Sequence, residues 1–122
     1  MSKTILIIDD DKLFRQALTQ ALEAQNFTVE ESTDGEKGLK KALELKPDLV
    51  VTDIKMPAMD GLELVAKLRE DPAGKDLRVI VLTADETAGT LNEALQAGVT
   101  VYLAKDHLAP EAMVEQLATA IG

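Results

Sequence analysis

Residues 48–68, DLVVTDIKMPAMDG followed by LELVAKL, decide the fold. Leu49, Val50 and Val51 form a short apolar run of the kind that marks a strand covered on both faces. Asp53 stands at its tip. Met56-Pro57 and Asp60-Gly61 then punctuate a turn. Beyond it, Leu62, Val65 and Leu68 recur at helical spacing, and Asp60 with Glu63 is the acidic analogue of a capping box. About twenty residues thus spell one strand, one loop and one helix, with a carboxylate where the strand ends.

The same grammar recurs along the chain in both directions. TILII (Thr4 to Ile8), VIVL (Val79 to Leu82) and VYLA (Val101 to Ala104) are further short apolar runs. FTVEE (Phe27 to Glu31) alternates apolar with polar residues and reads as a less covered edge strand. Leu13, Phe14, Ala17, Leu18, Ala21 and Leu22 make one helical stripe, and Leu39, Ala42 and Leu43 another. Leu91, Ala94 and Leu95 make a fourth; Met113, Val114, Leu117, Ala118 and Ile121 make a fifth. Thr33 with Glu36 and Thr90 with Glu93 have capping-box spacing, and Pro110 suits a first helical position. Glu70 to Asp76 is a loop. Five β-then-α units predict an α/β fold with a doubly wound parallel sheet, because right-handed crossovers put helices on both faces.

A length of 122 residues predicts one domain, with no repeats, linker or low-complexity tract. No apolar run approaches the roughly 20 residues that cross a bilayer, and no signal-peptide pattern opens the chain, so no membrane insertion and a cytoplasmic location are expected. The absence of cysteine excludes a disulfide framework, a thiolate zinc site and a cysteine nucleophile. A net charge of −9 and few aromatics argue against direct nucleic-acid binding, which needs a basic stripe or stacking platforms.

Ligands of such sheets bind beyond the carboxyl ends of the strands. Asp9, Asp10 and Asp11 follow the first strand and Asp53 ends the third; Thr83 follows the fourth and Lys105 the fifth. Singly, each has a plain alternative. An Asp after a strand is often a helix cap, one of Asp9-Asp10-Asp11 is expected to cap, and a lone lysine is usually a solvated charge. Together they converge on one rim. Two carboxylates about 5 Å apart repel by roughly 3 kcal/mol at an effective dielectric near 20, so a cluster calls for a shared proton or a bound cation. Hard oxygen ligands with room for waters suit Mg²⁺. A hydroxyl and an ammonium beside them suit transfer of a phosphoryl group to a carboxylate.

ILIIDDDKLFRQAL, DLVVTDIKMPAMDGLEL, VIVLTA and AGVTVYLAK resemble, in order and spacing, the signature blocks of response-regulator receiver domains of two-component signalling, close to the chemotaxis receivers. The resemblance covers essentially the whole chain. It implies a (βα)₅ flavodoxin-like fold with strand order 2-1-3-4-5, and a single receiver domain over 1–122 without an output domain. It implies Asp53 as phosphoacceptor, with Mg²⁺ held by Asp9, Asp10, Asp53 and the backbone carbonyl of Lys55. It makes Thr83 and Lys105 the partners of the phosphoryl group, and Thr83 with Tyr102 the switch pair. Lys55 and Asp85 fall on the positions that tune dephosphorylation. The implied partners are a histidine kinase or histidine phosphotransfer protein, a downstream protein target or output domain, and a second copy on phosphorylation. The implied protein assists its own phosphorylation and is not a turnover enzyme.

One departure stands out. The family usually has proline after the lysine, often with a cis bond; here the chain reads KDHL, with Asp106 and His107. A non-proline cis bond costs about 2.5–4 kcal/mol, so a trans linkage is expected. Lys105 is then aimed differently, with Asp106 adding negative charge. His107, the lone histidine, reads as a loop residue. Two other functions compete: a receiver-like interaction module without phosphorylation, and a haloacid-dehalogenase-like Mg²⁺ phosphatase using the D-x-D of Asp9 to Asp11. The second leaves Asp53 unexplained.

Overall fold

The computed structural model describes residues 3–83, 92, 96, 98–99, 101–104 and 109–121, with Thr83 and 101–104 described by their backbone alone. Four parallel strands lie in the order β2-β1-β3-β4: β1 Thr4–Ile8, β2 Thr28–Ser32, β3 Leu49–Asp53 and β4 Val79–Thr83. Helices α1 (Lys12–Glu23), α2 (Gly35–Leu45) and α3 (Gly61–Glu70) connect them, and a C-terminal helix spans Pro110–Ile121. The helix predicted around Leu91, Ala94 and Leu95, with its Thr90–Glu93 cap, lies outside the described residues.

Period-two alternation sorts the strand residues into two cores, one on each face of the sheet. Ile5, Ile7, Leu49, Val51, Ile80 and Leu82 pack with Leu18 and Leu22 of α1 and Met113 and Leu117 of the C-terminal helix. Leu6, Ile8, Val50, Val79 and Val81 pack with Ala42 of α2 and Leu64, Val65 and Leu68 of α3. Each fully buried aliphatic side chain contributes about 1.5–3 kcal/mol, so these residues, rather than surface charges, hold the sheet. The apolar strands are buried on both sides because helices cover both. Among the described residues β2 borders β1 alone, and its alternating sequence fits that edge.

Three helix readings need correction. Leu13 belongs to the expected α1 stripe but is 80 % exposed, whereas Arg15 and Thr19 of the same helix are buried. Leu64 joins the buried face of α3, where Leu62 is only half-buried. The cap of α2 is Asp34, not Thr33: its extended backbone directly precedes the first helical turn, and its carboxylate accepts the Lys37 N–H at 2.8 Å. Asp11 caps α1 by accepting from the Phe14 N–H, and Asp60 caps α3 by accepting from the Glu63 N–H, as expected. The loop expected over Glu70–Asp76 starts one residue later, because Glu70 closes α3, and it is tied down by Arg69, whose guanidinium donates to the carbonyls of Gly74, Lys75 and Leu77. No described helix is long and apolar enough to cross a membrane.

Candidate functional site

Strand register brings the acids together. Ile8 lies opposite Thr52, and Asp53 lies opposite Leu82, so the next residue of the first strand, Asp9, emerges beside Asp53. Carboxylate oxygens of Asp9, Asp10 and Asp53 all lie within 4.8 Å of one another. Asp9 is 1 % and Asp53 8 % exposed, while Asp10 faces solvent. Buried carboxylates with an open side fit a hard divalent cation that keeps part of its water shell.

Asp9 and Asp53 are held by backbone. The Asp9 N–H donates to the Ser32 carbonyl at 3.1 Å, and one Asp9 carboxylate oxygen accepts the Asp11 N–H at 2.8 Å. That leaves the triplet divided by role, with Asp11 a cap and Asp9 and Asp10 at the site. The Thr52 hydroxyl donates to the Asp53 carbonyl at 3.1 Å, and the Ile54 N–H donates to Leu82 at 3.0 Å, which pins the strand tip. The Gly61 N–H then donates to the Ile54 carbonyl at 2.8 Å, folding the start of α3 back onto that tip.

The loop between is shaped by its methionines. Met56 and Met59 are buried and anchor it to the α2–α3 core, while Lys55, Pro57 and Ala58 are exposed. The Met59 N–H closes a three-residue turn on the Pro57 carbonyl at 2.8 Å, with Ala58 at its centre at φ 66°. A non-glycine residue there costs about 1–2 kcal/mol, partly offset in a glycine variant by the greater entropy glycine loses on folding. Ala58→Gly is therefore expected to stabilise the protein by about 0.5–1 kcal/mol. Urea unfolding reads this as a higher midpoint with unchanged slope; a lower midpoint would count against the strained turn.

Thr83 ends the strand next to Asp53, one residue beyond the Asp53–Leu82 pair, but its side chain and that of Tyr102 are not described. Lys105, Asp106, His107 and Asp85 lie outside the described residues. One side chain at the site escaped the sequence reading. Arg15 is 9 % exposed; its Nε donates to the Glu31 carboxylate at 2.7 Å and its terminal nitrogen to the Asp9 carbonyl at 2.7 Å. Its only signal was a basic residue inside an apolar helical stripe.

The model of the response regulator receiver domain matches residues 5–118. Response regulator MprA of Mycobacterium ulcerans is 39 % identical over 118 residues, covering 97 % of this chain and 48 % of that protein. The chain thus spans about half the length of such relatives. Among solved structures, chemotaxis protein CheY4 of Vibrio cholerae superposes with a TM-score of 0.90 at 28 % identity, covering 98 % of this chain and 99 % of that one. A DNA-binding response regulator of the LuxR family from Staphylococcus aureus superposes with a TM-score of 0.86 at 28 % identity, with the same coverage. With its parallel 2-1-3-4 sheet and its acids gathered at the strand tips, the chain belongs to the response regulator receiver domains, the phosphoacceptor modules of two-component signalling.

Proposed function

We propose that Asp53 is the phosphoacceptor, and the observation that carries this is the meeting of Asp9, Asp10 and Asp53 within 4.8 Å at the carboxyl end of the sheet. Asp53 ends a strand and carries a buried carboxylate; Asp9 and Asp10 approach it from the neighbouring strand. These three acids and the Lys55 carbonyl would hold Mg²⁺, which when bound would neutralise charge on the incoming phosphoryl oxygens. An Asp53 oxygen attacks phosphorus, the bond to the donor nitrogen breaks, and the donor imidazole leaves with the electron pair. Thr83 donates to the phosphoryl group, Lys105 pairs with it, and Tyr102 follows Thr83 in the switch.

The same reading completes the fold. Val101–Ala104 serves as the fifth strand in the order 2-1-3-4-5, supported by its backbone register on β4, with Ile80 opposite Val101 and Leu82 opposite Leu103. The chain acts as one receiver domain, assisting its own phosphorylation rather than turning over a substrate. Its donor is a histidine kinase or histidine phosphotransfer protein in the cytoplasm, and its phosphorylated form engages a protein target, an output domain or a second copy. The Staphylococcus aureus neighbour is named a DNA-binding response regulator, whereas the net charge of −9 here argues against direct contact of this chain with nucleic acid.

Mass spectrometry after incubation with acetyl phosphate and Mg²⁺ tests the reading. One phosphoryl adduct per chain is expected, stable in acid, labile in base, and lost when a chelator replaces Mg²⁺. Absence of any adduct would instead point to a phosphorylation-independent interaction module.

A further inference from the structure

Three contacts help to fix Asp9, and one of them comes from a buried cation. Its N–H is held by Ser32 of the edge strand, one carboxylate oxygen by the Asp11 N–H, and its carbonyl by Arg15. Arg15 reaches that carbonyl from the second turn of α1. The other arm of its planar fork is locked on Glu31 of β2 at 2.7 Å. Glu31 is itself anchored, since its carbonyl accepts from the Lys41 ammonium of α2 at 2.7 Å. A guanidinium presents its donors in fixed directions, so holding one arm on Glu31 sets the position of the other. The pair spans α1, β2 and the tip of β1.

We infer that Arg15 is a positioning residue for the acidic site: braced by Glu31, it clamps the Asp9 backbone so that the Asp9 carboxylate meets Asp10 and Asp53 at the spacing a divalent cation requires. This rests on reading the three acids as the cation site. Groups that orient metal ligands typically alter affinity by about 10–100-fold when removed. The arrangement is also neutral as a pair, so the clamp is held without placing an unbalanced positive charge behind the cation. Its burial and its two partners assign Arg15 to the site.

Charge and geometry make opposite predictions for one variant, which makes the idea testable. Removing a positive charge near a cation site tightens cation binding through space; removing a clamp weakens it. The readout is Mn²⁺ affinity of the full chain, measured by electron paramagnetic resonance, with the folded state verified for each protein by circular dichroism and urea unfolding. Arg15→Lys keeps the charge and loses the fork, and is expected to bind Mn²⁺ about tenfold more weakly. Arg15→Met loses both and is expected to weaken binding similarly, against the through-space sign. Glu31→Gln, changed at the more exposed partner, is expected to weaken binding in the same direction. Combining it with Arg15→Lys should be no worse than the stronger single effect, because both act through one link. Unchanged or tighter Mn²⁺ binding by Arg15→Lys or Arg15→Met would overturn the clamp. Failure of the unsubstituted protein to bind Mn²⁺, by contrast, would overturn the cation-site reading beneath it. Should Arg15→Met not fold, Arg15→Lys decides alone.

Discussion

Asp53→Asn is expected to abolish labelling by acetyl phosphate while leaving the fold intact. The amide is nearly isosteric with the carboxylate, and Asp53 is placed by backbone contacts through its own carbonyl and the Ile54 N–H, which the change does not touch. What is lost is the anionic oxygen that attacks phosphorus and one of the three acids of the cluster. The same substitution has a second sign to check. Without a divalent cation, three carboxylates within 4.8 Å repel one another, so the Asn variant should be more stable in chelator, by about 1 kcal/mol once solvent screening at exposed Asp10 is allowed for. Added Mg²⁺ should stabilise the unsubstituted protein more than the variant, because a ligand that binds only the folded state raises stability by mass action. Mass spectrometry and urea unfolding with and without Mg²⁺ read both effects. A phosphoryl adduct persisting in Asp53→Asn would move the acceptor to another residue.

Gly61→Ala is the second large effect, and helix propensity alone mispredicts its sign. Alanine is favoured over glycine within a helix by about 1 kcal/mol, so a surface helix would be stabilised. Here a Cβ on Gly61 would run into the Asp53 carbonyl oxygen and lie 3.0 Å from both the Asp53 carbonyl carbon and the Ile54 Cα. All three are backbone atoms of the strand tip, so no rotamer change relieves the clash. Left-handed backbone is not the reason for this glycine, since Gly98 is the positive-φ glycine among the described residues. Close approach is. The expected cost is about 3 kcal/mol, at the upper end of overpacking, and urea unfolding measures it. Gly38→Ala provides the contrast: its new Cβ would meet Ile8 side-chain atoms at 2.6–2.9 Å, which can shift, so about 1–2 kcal/mol is expected. Because the displaced backbone carries Asp53, Gly61→Ala should also slow phosphorylation in molecules that remain folded. Equal stability of Gly61→Ala and the unsubstituted protein would refute the close packing of α3 on the strand tip.

Much of the site was legible because its signals are local. A strand that ends in a carboxylate, a turn marked by Pro57 and Gly61, and a helix opened by Asp60 lie within one short window. Each is decided by steric and hydrogen-bonding preferences of neighbouring residues. The α2 cap shows the limit of that locality: Thr33 and Asp34 both offer a side-chain oxygen, and Asp34 caps because its backbone is the one that enters the helical turn. Leu13 and Arg15 show a second limit. Apolar spacing placed Leu13 inside, yet Leu13 is 80 % exposed and Arg15, which the spacing did not single out, is buried, because Glu31 and the Asp9 carbonyl compensate the cost of burying the guanidinium.

By itself, then, the sequence determined the strand and helix alternation, the carboxylate at each relevant strand tip and the edge character of FTVEE, since periodicity and turn chemistry are written over a few residues. Only the tertiary structure decided how closely the expected convergence of Asp9, Asp10 and Asp53 brings their carboxylates, that Asp11 is the member that caps α1, and that Arg15 bridges Glu31 to Asp9. Those outcomes depend on parallel register between strands far apart in the chain and on which polar groups find partners when buried. Both are properties of packing rather than of local spacing.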